Sequence, residues 1–525
     1  MILKSIFPIL DWLPKYNKEW LKGDMGAGLT VGVMLIPQGM AYASIAGLPA
    51  VYGLYASIVP LIVYAIFGTS RQLAVGPVAM VSLLTATAIG SFEGLAITDY
   101  IFYAILLAFL VGAIQFLLGV FRLGFLVNFL SHPVISGFTS AAALIIGLSQ
   151  LKHLLGIEIS RSHRINEIIL NAINKIDEIN WVAFAIGAVG ILIIIGVKKI
   201  HKSLPSQLFA VVFGIVVVSV FNLGKGEYAV NIIKDIPSSL PKFQIPLFDL
   251  KIIELLVPMA LTIALVSFME SIAVAKAIQT KHRNYKVVPN QELVSLGLAN
   301  ILGSFFQSYP TTGGFSRTAV NDQAGAKTGL AALISALLIV ITLLFLTPYF
   351  YNLPKAILAS VIMVAVFGLI DYKEAIFLWK ANNLDFWLML STFLATLLLG
   401  IEYGIIVGVG LSLVVLIYRT SRPYVTELGK VPNSNFYRNK NRFEEVIIED
   451  DILVFRFDAQ IFYANSSYFR DNLDEMAAQK GKALKLIVLD AESINRVDST
   501  GVEMLKERIK YYQKKGVVFY FAGVK

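Results

Sequence analysis

The sequence predicts a polytopic α-helical membrane protein of fourteen segments, followed by a small α/β domain. Of its 525 residues, 57% are hydrophobic and 15% charged, and the mean hydropathy is +0.71. A soluble globular protein averages about 45–50% apolar and about 25% charged residues. Apolar stretches recur from about residue 25 to 418, and after residue 447 the pattern becomes that of alternating soluble strands and helices. This composition excludes a secreted, disordered or nucleic-acid-binding chain.

The apolar region divides into twelve long segments and two short ones. The long segments lie at 26–45, 51–67, 101–120, 133–151, 181–196, 206–222, 255–275, 290–306, 327–346, 354–370, 384–399 and 402–418. Small or polar residues interrupt the two short segments, 76–89 and 313–323, which fall below the roughly 20 residues that a spanning helix needs. Each short segment is third in a set of seven. Interrupted segments at matching positions in two halves indicate a 7+7 inverted repeat and point to its binding site.

The placement of basic residues gives one orientation. Cytoplasmic connections of membrane proteins collect Lys and Arg. With the N-terminus inside and each short segment completing one pass, the short inside connections carry basic residues, among them Arg71, Arg122, Lys281, Lys286 and Lys327. The short outside connections near residues 46–50, 91–99, 307–312 and 400–403 carry none. The two long outside connections, 152–180 and 223–254, do hold Lys and Arg, but long loops count less in this rule. This rule also accounts for the net charge of +9 without a nucleic-acid partner.

These observations give the domain boundaries. We expect a cytoplasmic N-terminal segment (1–23), a first repeat (24–222), an extracytoplasmic connection (223–254), a second repeat (255–422) and a cytoplasmic linker with the α/β domain (423–525). The location expected for this topology is the inner (plasma) membrane. The tail is predicted as strand, helix, strand, helix and strand, which implies a small mixed sheet. Because the chain ends directly after the last strand, where a covering helix is expected, the domain is predicted to be truncated.

Ionisable residues inside the apolar region are costly and by default functional. Arg317 lies early in the second short helix, directly after a glycine pair and Ser316. A helix N-terminus offers unpaired N–H groups and a positive dipole end. The guanidinium and the Ser316 hydroxyl would add further donors, so this segment predicts an anion site. The alternative is that Arg317 only caps the helix or extends to the membrane interface.

A second ionisable residue, Glu270, lies in a long apolar helix. A carboxylate there must pair, become protonated or face water. It is expected either to pair with Arg317 when the site is empty or to carry a coupling proton. The alternative is a purely structural ion pair.

Two further pairs of residues are candidates for anion contact. Gln38 and Tyr42 are four residues apart on the first segment, so they share a helix face and can both donate to an oxyanion. Alternatively, Gln38 bonds to a neighbouring helix. Pro77 begins the first short helix, and the N–H groups of Val78 and Ala79 are expected to face the helix of Arg317. The alternative is an ordinary broken helix.

No enzyme chemistry is predicted. The chain has no cysteine, which excludes disulfides, zinc fingers and thiol catalysis. Its five histidines show no metal-ligand spacing, and no phosphate-binding loop or nucleophile–base arrangement is present in the sequence. We therefore expect no cofactor and no metal.

Five stretches together resemble a known family. IPQGMAYASIAGLPAVYGLY, GPVAMVSLL, SHPVISGF, ESIAVAK and YPTTGGFSRTAVNDQAGAKT are similar to signature stretches of the SulP family, the sulfate permease/prestin anion transporters. The resemblance runs from Asp24 to Lys525, and the tail resembles the family's STAS domain. It implies fourteen segments in two inverted repeats arranged as core and gate domains, an anion between the facing ends of the third and tenth segments, elevator-like transport and a homodimer.

The resemblance also implies roles for single residues. Gln38 and Tyr42 match substrate-facing positions, and Val78 and Ala79 match backbone donors of the third segment. Ser316 and Arg317 match the anion site of the tenth segment. Glu270 matches the acid that is linked to proton coupling in bacterial and plant members.

Two departures from the family pattern affect these expectations. Sodium-coupled bicarbonate members have an Asp in the eighth segment and a hydroxyl residue four positions on. Here Glu270 and Val274 stand there, which favours a proton, although backbone carbonyls could still bind sodium. Gly314 stands where many members have Ser, which would widen the pocket or alter its anion preference.

In stand-alone STAS proteins a matching loop is phosphorylated, so Ser499 or Thr500 is a candidate regulatory site. The alternative is that Asp498 and Ser499 cap the next helix.

The sequence thus predicts proton-coupled import of a small oxyanion, with sulfate as the first candidate. Sodium-coupled bicarbonate or dicarboxylate uptake, chloride or other anion exchange, and a signalling role of the STAS domain stay open. The expected partners are the anion, a proton or alternatively sodium, membrane lipid and a second copy of the chain.

Overall fold

The structure is a computed structural model that describes residues 6–90, 92, 94–125, 131–157, 165–200, 204–226, 229–282, 285–443 and 445–525. The chain forms two compact units, Met1–Val409 and Gly410–Lys525, and the boundary falls within a helix, Ile401–Ser421. The two units are taken in turn.

Helices make up the first half of the first unit. They are α1 (Ile9–Trp12), α2 (Lys18–Ile45), α3 (Val51–Tyr55), α4 (Val59–Phe67), α5 (Ala79–Gly90), α6 (Ile97–Val120), α7 (His132–Ser149), α8 (Leu151–Leu154), α9 (Ile165–Asn174), α10 (Trp181–Ile200) and α11 (Ser206–Val220). The predicted segment 51–67 is two helices rather than one. Pro60 lies in the first turn of α4, where its missing N–H does no harm, and it prevents α3 from continuing through this point.

The second half of this unit is also helical. Its helices are α12 (Leu250–His282), α13 (Pro289–Ser304), α14 (Phe315–Gln323), α15 (Leu330–Ile341), α16 (Lys355–Phe367), α17 (Tyr372–Ala381), α18 (Asn383–Leu399) and α19 (Ile401–Ser421). All fourteen predicted segments contain a helix. Helix α17 was not predicted, because its mixed sequence is too polar for a spanning segment; Asp371 caps it by accepting a hydrogen bond from the Glu374 N–H at 3.0 Å.

Length and composition agree with a membrane location. Seven helical stretches of the described residues are long and apolar enough to cross a membrane, and five shorter apolar helices accompany them. The less apolar α13 and the short α14 complete the fourteen segments. The prediction of a polytopic helical membrane protein is therefore confirmed.

The helices of the first unit pack in two groups. In the core group, α6 packs along α13 and α12, α4 packs against α13, and α2 packs along α15 and α14. In the gate group, α7 packs against α18 and α16, and α10 packs against α11 and α16. Small residues permit the closest approach: a Cβ atom on Gly297 of α13 would lie 2.5 Å from the backbone N of Phe116 on α6.

A short ribbon joins the two halves of the core group. Strand β1 (Val75–Gly76) pairs antiparallel with β2 (Thr312–Gly313), with Val75 opposite Gly313 and Gly76 opposite Thr312. Each strand leads within a few residues into one of the two short helices, α5 or α14. The ribbon therefore sets the N-termini of both short helices side by side.

The second unit contains a five-stranded mixed sheet of order β4-β3-β5-β6-β7 with two helices. Its elements are β3 (Val425–Lys430), β4 (Tyr437–Asn439), β5 (Ile452–Phe457), α20 (Ser466–Lys480), β6 (Leu486–Asp490), α21 (Ser499–Lys514) and β7 (Val518–Ala522). Strands β5, β6 and β7 are parallel, and β3 pairs antiparallel with both β4 and β5, so the sheet is mixed, as predicted. Strands β3 and β4 lie in the stretch that the sequence pattern assigned to a linker, so the sheet begins earlier than predicted.

Candidate functional site

The predicted site residues meet at a cavity of about 230 Å³ between the core and gate groups. The core side of its wall comes from α2, α5, α12 and α14, and the gate side from α7 and α16. Six of the seven predicted membrane site residues line it: Tyr42, Val78, Ala79, Glu270, Ser316 and Arg317.

Two helix N-termini open onto this cavity. The first intrahelical bonds run from the Ser82 N–H to the Val78 carbonyl and from the Thr318 N–H to the Gly314 carbonyl, both at 3.0 Å. The N–H groups of the preceding turn, including those of Ala79 and Ser316, therefore have no acceptor within their own helix. Gly314 is the N-cap of α14, and no side chain in the described part of the chain caps this end. Both positive dipole ends are thus available to an anion.

Arg317 places a cation between these helix ends. Its side chain is only 1% exposed, and Nη1 donates to the Pro77 carbonyl at 2.5 Å. Within the described part of the chain, Nε and Nη2 have no hydrogen-bond partner and no carboxylate lies within 4.0 Å of the guanidinium. A buried cation without a counter-charge in direct contact is costly, so the site favours the entry of an anion.

Glycine at position 314 makes room for the guanidinium. A Cβ atom there would lie 3.0 Å from Nη2 of Arg317 and 3.2 Å from a methyl group of Val78. A serine, which the family resemblance led us to expect, would press on the guanidinium. The departure from the family pattern therefore widens the space around the cation.

Glu270 lines the same cavity from α12. Its Oε2 is buried and, among the residues that the structure describes, has no hydrogen-bond partner. The direct ion pair with Arg317 that the sequence suggested is absent: no Glu270–Arg317 contact within 4.0 Å occurs. The guanidinium instead bonds to the Pro77 carbonyl before α5. Cation and carboxylate are thus separate groups facing one cavity.

The two polar residues of α2 differ in position. Tyr42 is 4% exposed and lines the cavity. Gln38, one turn earlier, is 1% exposed and lies outside the cavity wall. Its Oε1 has no partner within the described ranges. The shared helix face therefore brings only one of the two to the cavity.

Sequence reasoning missed the hydrogen bonds that hold the ribbon. Thr312 Oγ1 donates to the Ser267 carbonyl at 2.7 Å, and the Gly313 N–H donates to Ser271 Oγ at 2.8 Å. Asn300 Oδ1 accepts from the Thr311 N–H at 2.8 Å, and Asn300 Nδ2 donates to the Thr311 carbonyl at 3.0 Å. These bonds fix β2 to α12 and α13. The four-residue spacing of Ser267 and Ser271, beside Glu270, was the available signal.

The predicted regulatory hydroxyls lie in the second unit. Ser499 and Thr500 are exposed at the start of α21. Asp498 caps this helix: Oδ1 accepts from the Gly501 N–H at 2.8 Å and Oδ2 accepts from the Tyr463 N–H at 3.0 Å. Of the two residues suggested as helix caps, Asp498 therefore is one, and the hydroxyls of Ser499 and Thr500 both stay accessible.

Comparison with known proteins extends this description. The sulfate permease family profile matches residues 21–392, and the STAS domain profile matches residues 445–525. The chain is 42% identical over 537 aligned residues to sulfate transporter 4.1, chloroplastic, of Arabidopsis thaliana, covering 98% of this chain and 77% of that protein. It is 34% identical over 545 residues to high affinity sulfate transporter 2 of Stylosanthes hamata, covering 99% and 81% respectively.

Solved structures show the same fold. The murine Solute Carrier 26 family member A9 anion transporter in the inward-facing state superposes with a TM-score of 0.91 at 27% identity, over 100% of this chain and 89% of that one. The transmembrane domain of a cyanobacterium bicarbonate transporter, BicA, superposes with a TM-score of 0.66 at 23% identity, over 75% of this chain and 99% of that one. The family and these relatives are transporters rather than enzymes. The chain belongs to the sulfate permease family of multi-pass membrane transporters and carries a C-terminal STAS domain.

Proposed function

We propose that this protein is a secondary active transporter that imports a small oxyanion, sulfate, together with a proton. One observation carries the proposal: the buried Arg317, which has no ion-pair partner among the described residues, lies between the N-termini of α5 and α14. The carboxyl group of Glu270 lines the same cavity, and its Oε2 has no hydrogen-bond partner among those residues. Relatives named as sulfate transporters, up to 42% identical over nearly the whole chain, support sulfate as the substrate.

The anion would bind in the cavity between α5 and α14. The free N–H groups at the two helix ends, the Arg317 guanidinium and the Ser316 hydroxyl all donate hydrogen bonds, as an oxyanion requires. Tyr42 would add a further donor from α2. Gln38 is not among the lining residues, and its contact with the anion stays a prediction.

Glu270 is our candidate for proton coupling. An ionised Glu270 would repel a divalent anion in the same cavity, and protonation removes that repulsion. Protonation also removes the cost of an unpaired buried carboxylate. Anion and proton would therefore bind together. Val274, one turn further along α12, offers no side-chain oxygen to a sodium ion.

The arrangement supports an elevator mechanism. The polar groups toward the anion, on Tyr42, Ser316, Arg317 and Glu270, all belong to the core group. The gate wall is mainly apolar and includes Val134, Phe138 and Leu369. Because this apolar wall makes few hydrogen bonds to the cargo, the core group can slide along it without breaking substrate contacts.

The predicted topology and the family membership support our remaining proposals. We place the protein in the inner (plasma) membrane, surrounded by lipid, with the N-terminus and the STAS domain in the cytoplasm, as a homodimer. The exposed hydroxyls of Ser499 and Thr500 are candidates for regulatory phosphorylation, since a kinase can reach both side chains.

Radiolabelled sulfate uptake into proteoliposomes tests the proposal. We expect accumulation under an inward proton gradient without sodium, and collapse of that accumulation when an uncoupler is added. Bicarbonate uptake that appears only with sodium would contradict both the substrate and the coupling ion. Rapid sulfate–chloride counterflow with no response to the proton gradient would contradict coupling and leave exchange.

A further inference from the structure

A second cavity, of about 600 Å³, lies in the core group away from the transport site. Its wall comes from α1, from the connection after α4, from the C-terminal end of α6, from the N-terminal end of α13 and from the turn before α15. Apart from α1, which belongs to the N-terminal segment, these are connections that the distribution of basic residues predicts to be cytoplasmic. The structure thus gathers four predicted cytoplasmic connections and the N-terminal segment around one hollow.

The charge of this hollow is unbalanced. Arg71, Arg122 and Lys286 line it together with the carboxylate of Asp11. A second carboxylate, on Glu292 in the first turn of α13, is buried behind this wall and accepts hydrogen bonds from Thr69 and from the Ser70 N–H. Asp11 lies 3.3 Å from Arg71, which also contacts the rings of Trp20 and Tyr285. Over the described ranges, Arg122 and Lys286 have no ion-pair partner. Two cations therefore face the hollow without a carboxylate in direct contact.

The backbone adds to this positive potential. Helix α13, sixteen residues long, begins at Pro289; no side chain of the described residues caps its N-terminus, and Glu292 is the acidic residue of its first turn. Asn290 and Gln291 in its first turn line the hollow. Next to this N-terminus, Arg122 adopts a left-handed backbone conformation with φ of 59° just after α6, a position where glycine is usual. An arginine held there at a backbone cost indicates that its side chain has a use.

The rim of the hollow is apolar. Val120 and Val288 line it and are 54% and 41% exposed, and the neighbouring Phe121 is 68% exposed. Leu10 and Leu13, on and just after α1, are also exposed. Such side chains suit acyl chains at a membrane interface, whereas a site for a free inorganic anion needs no apolar rim.

We propose that this hollow binds the phosphate headgroup of an anionic phospholipid of the cytoplasmic leaflet. Arg122, Lys286 and the N-terminus of α13 hold the phosphate, Arg71 adds charge from the floor, and the acyl chains lie along Val120 and Val288. The bound lipid joins the N-terminal segment to the core group. This inference does not depend on the identity of the transported anion.

Native mass spectrometry of the full chain tests the proposal, with dioleoyl phosphatidylglycerol and dioleoyl phosphatidylcholine as probes. We expect retention of phosphatidylglycerol alone. Each cation near an anionic lipid contributes about five-fold in affinity, so the double variant R122Q/K286Q should lose roughly 25-fold. The control K198Q/K199Q removes two exposed cations from the end of α10, outside the hollow, and should bind like the parent.

Three outcomes would overturn the proposal. The first is equal retention of the two lipids. The second is an equal loss of phosphatidylglycerol affinity in R122Q/K286Q and in the control variant. The third is displacement of the lipid by millimolar inorganic phosphate or sulfate, which would make this a site for a free oxyanion. Hydrogen exchange gives a second readout: phosphatidylglycerol should slow exchange over residues 9–15, and unchanged exchange contradicts the proposed link. If the double variant does not fold, K286Q alone, at an exposed position, should show the five-fold loss.

Discussion

At the scale of single residues, the buried guanidinium of Arg317 has the largest expected effect. It makes one hydrogen bond within the described part of the protein and has two unpaired nitrogens facing the site. Hydrogen bonds to charged groups contribute about 1.5–3 kcal/mol. We therefore expect Arg317→Ala to weaken sulfate binding by roughly 10- to 100-fold while the chain stays folded, measured as sulfate-dependent thermal stabilisation of the purified protein.

Lys373→Ala is the matched control for this variant. It removes the same charge from an exposed position outside the cavity and should leave sulfate binding unchanged. If Arg317→Ala binds sulfate as tightly as the parent protein does, Arg317 is not part of the anion site.

A substitution at Glu270 distinguishes proton coupling from sulfate binding. We expect Glu270→Gln, which mimics the protonated carboxyl group, to lose sulfate accumulation driven by a proton gradient and to keep sulfate–sulfate exchange. The reason is that a permanently neutral side chain permits the anion at any pH but carries no proton. Uptake and counterflow in the same proteoliposomes measure both activities. Continued accumulation in this variant would exclude Glu270 as the coupling residue.

Sequence reasoning identified most residues of the candidate site but not their distances. Tyr42 and Arg317 could be chosen because polar side chains in apolar segments are rare. The missing contact between Glu270 and Arg317 could not be foreseen, because it depends on the guanidinium turning to the Pro77 carbonyl. Likewise, the helix period places Gln38 on the face of Tyr42 but does not say how deep the cavity reaches along that face.

At the scale of elements, the ribbon of β1 and β2 depends on a side-chain clamp. Asn300 on α13 bonds to both the N–H and the carbonyl of Thr311. Asn300→Ala leaves these two buried groups unsatisfied, and each unsatisfied group costs about 1–3 kcal/mol. We expect a lower melting temperature and a raised KM for sulfate, because β2 and the start of α14 lose their anchor.

Ser304→Ala provides the comparison for this clamp. Ser304 is also buried on α13, but its hydroxyl bonds only to a carbonyl of its own helix, at 2.7 Å. The Ser304→Ala variant should retain the parental KM for sulfate. An equal KM in both variants would mean that the Asn300 clamp does not position the site.

The contact between α6 and α13 gives a second test at this scale. A methyl group added in Gly297→Ala would lie 2.5 Å from the backbone N of Phe116, which cannot move without its helix. Overpacking of this kind costs about 1–3 kcal/mol, so the melting temperature should fall. In Gly196→Ala, where nothing lies within 4 Å of the new methyl group, helix propensity should leave stability equal or slightly higher. The reverse order would contradict the close packing.

A helix or strand could be predicted where its sequence shows a hydrophobic periodicity or an apolar stretch of sufficient length. Apolar stretches of helix length located all fourteen segments, and the alternation of Ile452–Phe457 located β5. The ribbon has only two residues per strand, too few for any period, so no pattern indicated it. Helix α17 was missed because its alternation of charged and apolar residues resembles a connection rather than a spanning helix.

At the scale of the whole molecule, the sequence predicted two repeats from the matching positions of the two short segments. It did not show by itself which helices move together. That grouping appears in the packing, where α2 and α6 contact helices of the second repeat more closely than most of their neighbours in the first. Interleaving of the repeats is a tertiary property, since no residue type marks it.

The absence of cysteine from all 525 residues makes relative motion of the core and gate groups testable with introduced thiols. Ser44 at the end of α2 and Lys355 at the start of α16 are exposed and line the same two cavities, of about 170 and 210 Å³. In an elevator these positions must separate, so a short bifunctional thiol reagent should stop sulfate uptake by Ser44→Cys/Lys355→Cys, and a reductant that cleaves the link should restore it. The control pair Ser219→Cys/Asn352→Cys lies within the gate group, where the two native side chains are 3.0 Å apart, and should transport equally with and without the link. Full transport by the linked Ser44–Lys355 pair would show that the two groups do not slide past one another here, and inhibition of both pairs would assign the effect to the reagent.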